Sequence, residues 1–256
     1  MIFFITVFSY SSVFSTLQCH DILIYNEDTF AIGEDVYPLE SFFDNVKNIR
    51  PDSIFEKYGY FTSASWRGYI GVWLIENDSL FLLELKGFDE KSMDLSKLFK
   101  NTKLKKRIFA EWYNNEVYCY YGNYISQNVG IEIFEHEIYF KFNKGLVTKI
   151  KYLDNTKTFI SDFTHNELFY FDHLKCELKE SYLTKNYGES KKVLIKVINT
   201  DNSGKIDSVD VFKGIDKVFN NEAIRIVKSF PSWDVLYLHG ERINQYYIIS
   251  LEFNID

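Results

Sequence analysis

The densest run of oxygen-bearing side chains in the sequence is NTDNSGKIDSVD, residues 199–210. Asn199, Asp201, Ser203, Asp207 and Asp210 stand at positions a calcium loop would use, Gly204 at the sharp turn and Ile206 at the apolar position. Calcium requires several oxygens converging on one point, and this spacing can supply them. The flanks point elsewhere. VLIKVIN and KIDSVDVFKG are strand-like rather than helical, Asp210 replaces the usual bidentate Glu, and Asp-Asn-Ser-Gly is an ordinary hairpin turn. A turn is the primary reading and metal binding the weaker alternative; no cofactor is expected.

The remaining chemistry is sparse. The five histidines, at 20, 136, 165, 173 and 239, contain no HExxH or other close ligand pair. Glu132, Glu135, His136 and Glu137 cluster, but in a strand they alternate sides, which favours a solvated face over an acid–base pair. Ser63, Ser65 and Ser161 lack the glycines of a nucleophile elbow, and the 12 glycines form no phosphate loop. No catalytic residue is assigned, so an enzyme would need a site assembled from distant residues. Cys19, Cys119 and Cys176 make no disulfide framework, and the last two are expected as buried thiols. A formal charge of −7 argues against a phosphate-gripping surface, and the basic run at Lys103–Arg107 is a solvated stretch, so nucleic acid is not an expected partner.

The elements that position these residues are mainly strands. Aromatic residues make up 18% of the chain, which favours sheet. The first eighteen residues, MIFFITVFSYSSVFSTLQ, carry no charge and end in small and polar residues, the outline of an export signal. Export to the periplasm or cell envelope is the expectation, with membrane attachment only if that segment is retained. Residues 19–153 then show period two. GYIGVWLIENDSLFLLEL reads as two strands around residues 76–79, EIYFKFNKGLVTKIKYL as two around 143–145, and FAEWYNNEVYCYY as a third hairpin around Asn114-Asn115. Short helices are expected at PLESFFDNVKN, with Pro38 at its start, and at DLSKLFKN, capped by Asp94. Together they predict a mainly antiparallel sandwich or barrel of unknown function. Residues 154–191 read as a helical connector whose apolar face carries Leu168, Phe171, Leu174, Leu178 and Tyr182.

From residue 192 the pattern predicts strand, strand, helix, strand. The helix KVFNNEAIRIVKSF places Val218, Phe219, Ala223, Ile226, Val227 and Phe230 at three- and four-residue spacing. Pro231 ends it, Trp233 folds back over its end, Gly240 marks a turn, and INQYYIISLEF supplies the closing strand. The overall expectation is α+β: an N-terminal antiparallel β domain followed by a small β-β-α-β domain.

The ordered features GKIDSVDVFKGID, NNEAIRIVKSFPSW, HGERIN and a final strand ending in Phe253 resemble the C-terminal domain of TonB-type proteins of Gram-negative envelopes. The resemblance covers about residues 192–255. It implies a small sheet with one packed helix that takes a segment of a partner, often an outer-membrane protein, as an added strand. The binding edge it implies is the last strand, with Gln245, Tyr247, Ile249 and Leu251 on one face. For the apolar members of that set, sheet core is the simpler reading. Three prolines cannot form the long polyproline spacer of a TonB energy transducer, so the resemblance implies a protein- or peptide-binding module. A membrane-anchored transducer is the alternative. An unpaired last strand can equally pair with a second copy of the chain.

Overall fold

The computed structural model describes residues 19–33, 36–45, 67–87, 91–99, 106–128, 131–180, 191–243 and 247–253. The expected export signal, residues 1–18, lies outside the described residues, as does Gln245. The fold is mixed α+β and mostly β. The described residues form two compact units that divide between Asp154 and Asn155.

In the N-terminal unit, β1 (Ile22–Tyr25), β2 (Asp28–Ile32), β3 (Ile70–Glu76), β4 (Ser79–Lys86), β5 (Ile108–Phe109), β6 (Glu116–Asn128), β7 (Ile131–Asn143) and β8 (Leu146–Asp154) belong to one sheet. Its order is β3-β1-β2-β6-β7-β8-β4-β5, and β3 also pairs with β4. That second pairing closes seven strands into a ring, with β5 added beside β4. Closure relies on the short β8–β4 junction, where Leu80 N–H donates to Gly145 O and Val147 N–H to Asp78 O, each at 2.8 Å. All pairings are antiparallel except β1 with β3. Two-residue turns join three hairpins, at Asn26-Glu27, Asn77-Asp78 and Lys144-Gly145, all with positive φ as the right-handed strand twist requires. Alternate side chains point inward, so Leu23, Ile32, Trp73, Leu82, Phe140 and Phe142 are each nearly or fully buried in one core.

The segment FAEWYNNEVYCYY is not a hairpin. Its first strand, β5, pairs with β4, and its second, β6, pairs with β2 and β7. The Asn114 side chain accepts from Lys144 N–H at 2.8 Å, so Asn114 braces a neighbouring turn rather than reversing the chain. Pro38 precedes the helix α1, which runs Glu40–Asn45. Asp94 caps a single 3₁₀ turn, Leu95–Lys97, by accepting from Ser96 N–H.

The C-terminal unit contains helices α2 (Asp162–His165), α3 (Glu167–Glu180) and α4 (Lys217–Lys228), and strands β9 (Lys191–Thr200), β10 (Ile206–Lys213), β11 (Tyr237–Leu238), β12 (Glu241–Arg242) and β13 (Tyr247–Phe253). The main sheet has order β10-β9-β13, wholly antiparallel, with β9 central. Asp216 caps α4 by accepting from Val218 and Phe219 N–H, and the buried face Phe219, Ala223, Ile226 and Val227 packs over β9 and β10. Arg225 ties the two long helices together, bonding Glu222 on α4 and Glu177 on α3; these carboxylates hold its guanidinium above the usual arginine range.

Over its described side chains the buried face of α3 is rotated from the expected one; those of Leu178 and Tyr182 lie outside them. Leu174 is buried and Tyr170 packs against the same core, but Leu168 is 73% exposed. Asn166 fixes the start of the helix by accepting from Leu168 and Phe169 N–H, which leaves Leu168 in the solvated first turn. Cys119 is buried, as expected, and burial pushes its thiol pKa up; Cys176, on the outer side of α3, is exposed instead.

Candidate functional site

The two edges of the C-terminal sheet differ. At one edge, β10 pairs with β9 through three register irregularities, at Ile206/Ser208, Ser208/Val209 and Val211/Lys213, and carries Asp207, Asp210 and Lys213. Bulges and charges of this kind blunt an edge against further pairing. At the other edge, β13 pairs with β9 in unbroken register from Tyr247↔Val197 to Phe253↔Lys191, and Glu252 is its one charge. Among the described residues no strand pairs with the second side of β13. In an antiparallel strand every second residue turns its N–H and C=O away from its neighbour, so the second side of β13 is the side on which a further strand would pair.

Side chains of β13 fall into two sets. Ile249, Leu251 and Phe253 are buried with Val193, Ile195 and Val197, and Phe253 meets Phe219 of α4 edge to face at 5.4 Å. Tyr247 is half-buried, its ring 5.0 Å from that of Trp233. These side chains therefore belong to the core that holds the edge strand straight, and the alternate set points away from it. That set is Ile248, 40% exposed, with Ser250 and Glu252 beside Lys196, Leu194 and Lys192 of β9.

The predicted structural residues gather at one end of this sheet. α4 stops at Lys228, with Ser229 as its C-cap and Pro231 two residues beyond, where it cannot continue a helix. Trp233 is buried, stacked on Phe230 at 5.9 Å and 10°. Its N–H donates to Gly204 O at 2.7 Å. Gly204 has φ +81°, and a Cβ there would collide with the Trp233 carbonyl, so the β9–β10 turn and the segment after α4 dock backbone to backbone. Gly240, also at positive φ, donates its N–H to Asn155 Oδ1 at 2.9 Å in the β11–β12 turn. Arg242 donates to the carbonyl and hydroxyl of Thr200, fixing that small hairpin to the end of β9.

The oxygen-rich run behaves as a turn. Asp201 Oδ1 accepts from Ser203 Oγ at 2.7 Å, Ser203 N–H at 2.8 Å and Lys205 N–H at 2.9 Å, and these bonds hold its carboxyl below the usual carboxylate range. Asn199 lies on β9, and Asp207 and Asp210 on β10. Among the described residues no three His, Cys, Asp or Glu side chains form a group able to hold a metal ion. The Glu132–Glu137 cluster is dispersed: Glu132 meets His20 at 3.0 Å, Glu135 accepts from the Asn123 backbone and side chain, and Glu137 is buried. Ser161 caps α2 and shares a hydrogen bond with Ser232.

Sequence reasoning missed the polar centre of the N-terminal unit. Asp21 and Arg67 form a buried ion pair at 2.9 Å, and Asp21 also accepts from Gly71 N–H and Trp73 Nε1. Burial is the largest influence and opposes the Arg67 charge, yet Asp21, Tyr69 and Tyr37 together raise the guanidinium pKa. The Arg67 guanidinium lies 3.5 Å over the Tyr37 ring, and Tyr37, Glu40, Asp44, Tyr113 and Glu116 line a nearby cavity of about 230 Å³. In the C-terminal unit a space of about 20 Å³ beside Trp233 and Tyr247 is the size of one water, so a small-molecule ligand has no room there.

No protein-family model matches the chain, and no curated protein or solved structure matches it either. Among the described residues no helix is long and apolar enough to cross a membrane.

Proposed function

We propose that the C-terminal unit binds a protein or peptide by strand addition to β13, in the manner of a TonB-type C-terminal domain, within an exported protein of the cell envelope. The observation that carries this reading is the contrast between the sheet's edges: β10 is bulged and charged, whereas β13 is regular over seven residues. The incoming segment contributes backbone hydrogen bonds for affinity, and its side chains beside Ile248, Ser250 and Glu252 set selectivity. An outer-membrane protein is the partner class the family resemblance implies, and a second copy of the chain meets the same geometric requirement.

Site-specific photocrosslinkers placed singly at Ile248, Ser250 and Glu252 test this in intact cells. The expected result is one adduct mass shared by all these positions and absent from Asp207 and Asp210 on β10. An adduct of twice the chain mass would identify a second copy as the partner. Equal crosslinking from β10, or none from β13, would overturn the reading.

A further inference from the structure

The inner face of the N-terminal ring changes character towards one end. Register across β6, β7 and β8 places Val117, Phe140 and Ile150 in one row, Cys119, Ile138 and Tyr152 in the next, and Tyr121, His136 and Asp154 beyond. The first row is core. By the last, apolar side chains have given way to aromatic rings that carry polar groups. Tyr121 and His136 stack at 5.0 Å and 27°. Tyr25 packs its ring against Phe140 at 4.9 Å and meets the Tyr152 hydroxyl, while Phe30 meets Tyr121 edge to face at 6.2 Å. β1 and β2 thus complete a rim whose other members come from β6, β7 and β8.

One ring on this rim is turned to solvent: Tyr152 is 64% exposed, although its strand position belongs to the inward-facing series. Beside it, His136 Nδ1 stands 3.8 Å from Asp154 Oδ1, longer than a hydrogen bond. At this border the imidazole can donate to a ligand hydroxyl, and a carboxylate, with several lone pairs, can accept from one in addition to its other contacts. Lys149 and Lys151 fall on the opposite face of β8, so the rim lacks their positive charge and is a poor match for a phosphate backbone.

We propose that this mouth binds a neutral saccharide, with Tyr152 as the platform for one pyranose ring and the His136–Asp154 pair hydrogen-bonding its hydroxyls. A pyranose presents a face of C–H groups bordered by hydroxyls that both donate and accept. An exposed aromatic face bordered by a phenol, an imidazole and a carboxylate is its chemical complement. The mouth of a β-barrel is also a recurrent place for small-ligand sites.

Saturation-transfer NMR on the full chain, with cellohexaose, maltohexaose, xylohexaose and chitohexaose as probes, tests the proposal. Transfer is expected to the ring C–H protons of at least one of these sugars. Tyr152→Ala should weaken that binding roughly tenfold, and Tyr152→Phe should keep most of it. The unfolding midpoint of Tyr152→Ala should match the parent, because the ring is exposed. Absence of transfer from every sugar, undiminished binding by Tyr152→Ala, or a preference for tryptophan amide or AMP over all the sugars would overturn it.

Discussion

Asp21 and Arg67 show how much one pair of charges can organise. The carboxylate joins the start of β1 to Arg67, to the backbone at Gly71 and to Trp73, while Arg67 also donates to the Cys19 carbonyl at 2.8 Å. Removing one partner of a buried pair leaves the other uncompensated, a loss larger than the pair's net contribution. Asp21→Ala should therefore cost about 3–5 kcal/mol in urea unfolding of the N-terminal unit. A loss below about 1 kcal/mol would mean that water reaches Arg67. Neither residue stood out in the sequence. Their separation of 46 positions carries no local pattern, and a buried Asp looks like a surface Asp until its partners are known. The aromatic mouth was hidden for a related reason: Tyr25, Tyr121 and Tyr152 come together only through strand register.

Among the elements, those dictated by local chemistry were the most legible. The turns at Asn77-Asp78 and Lys144-Gly145 follow directly from residue types that accept positive φ, and the α4 periodicity matches the buried face at Phe219, Ala223, Ile226 and Val227 but not at Val218, which is 49% exposed in the first turn. The Asn114-Asn115 pair carried the same turn signal and misled, because the strands flanking it found better partners elsewhere. Parallel pairing of β1 with β3 had no local signature at all. Around the end of α4 the sequence reading and the geometry can be tested together. Trp233 covers Phe230 and Tyr247 and is anchored through Gly204, so Trp233→Ala should destabilise the C-terminal unit by about 3–5 kcal/mol in denaturant unfolding. An unchanged midpoint would show that the segment after the helix docks through its backbone alone.

At the scale of the whole molecule, composition made a mostly β chain legible, and the described residues divide into two compact units. Closure of the N-terminal ring was not legible, since it depends on contacts between strands far apart in sequence. For the C-terminal unit, the residues named for binding were legible mainly as core: Ile249 and Leu251 are buried, so under the proposed strand addition a partner would meet β13 through its backbone. Backbone availability cannot be read from side-chain types, which is why the edge itself emerged only from the pairing pattern. Amide hydrogen exchange along β13 in the isolated chain tests this most directly. An open edge predicts alternation, with the N–H groups directed at β9 protected and those between them exchanging rapidly. Uniform protection across Tyr247–Phe253 that persists on dilution would mean that another segment of the chain already pairs with the edge, and would contradict strand addition there.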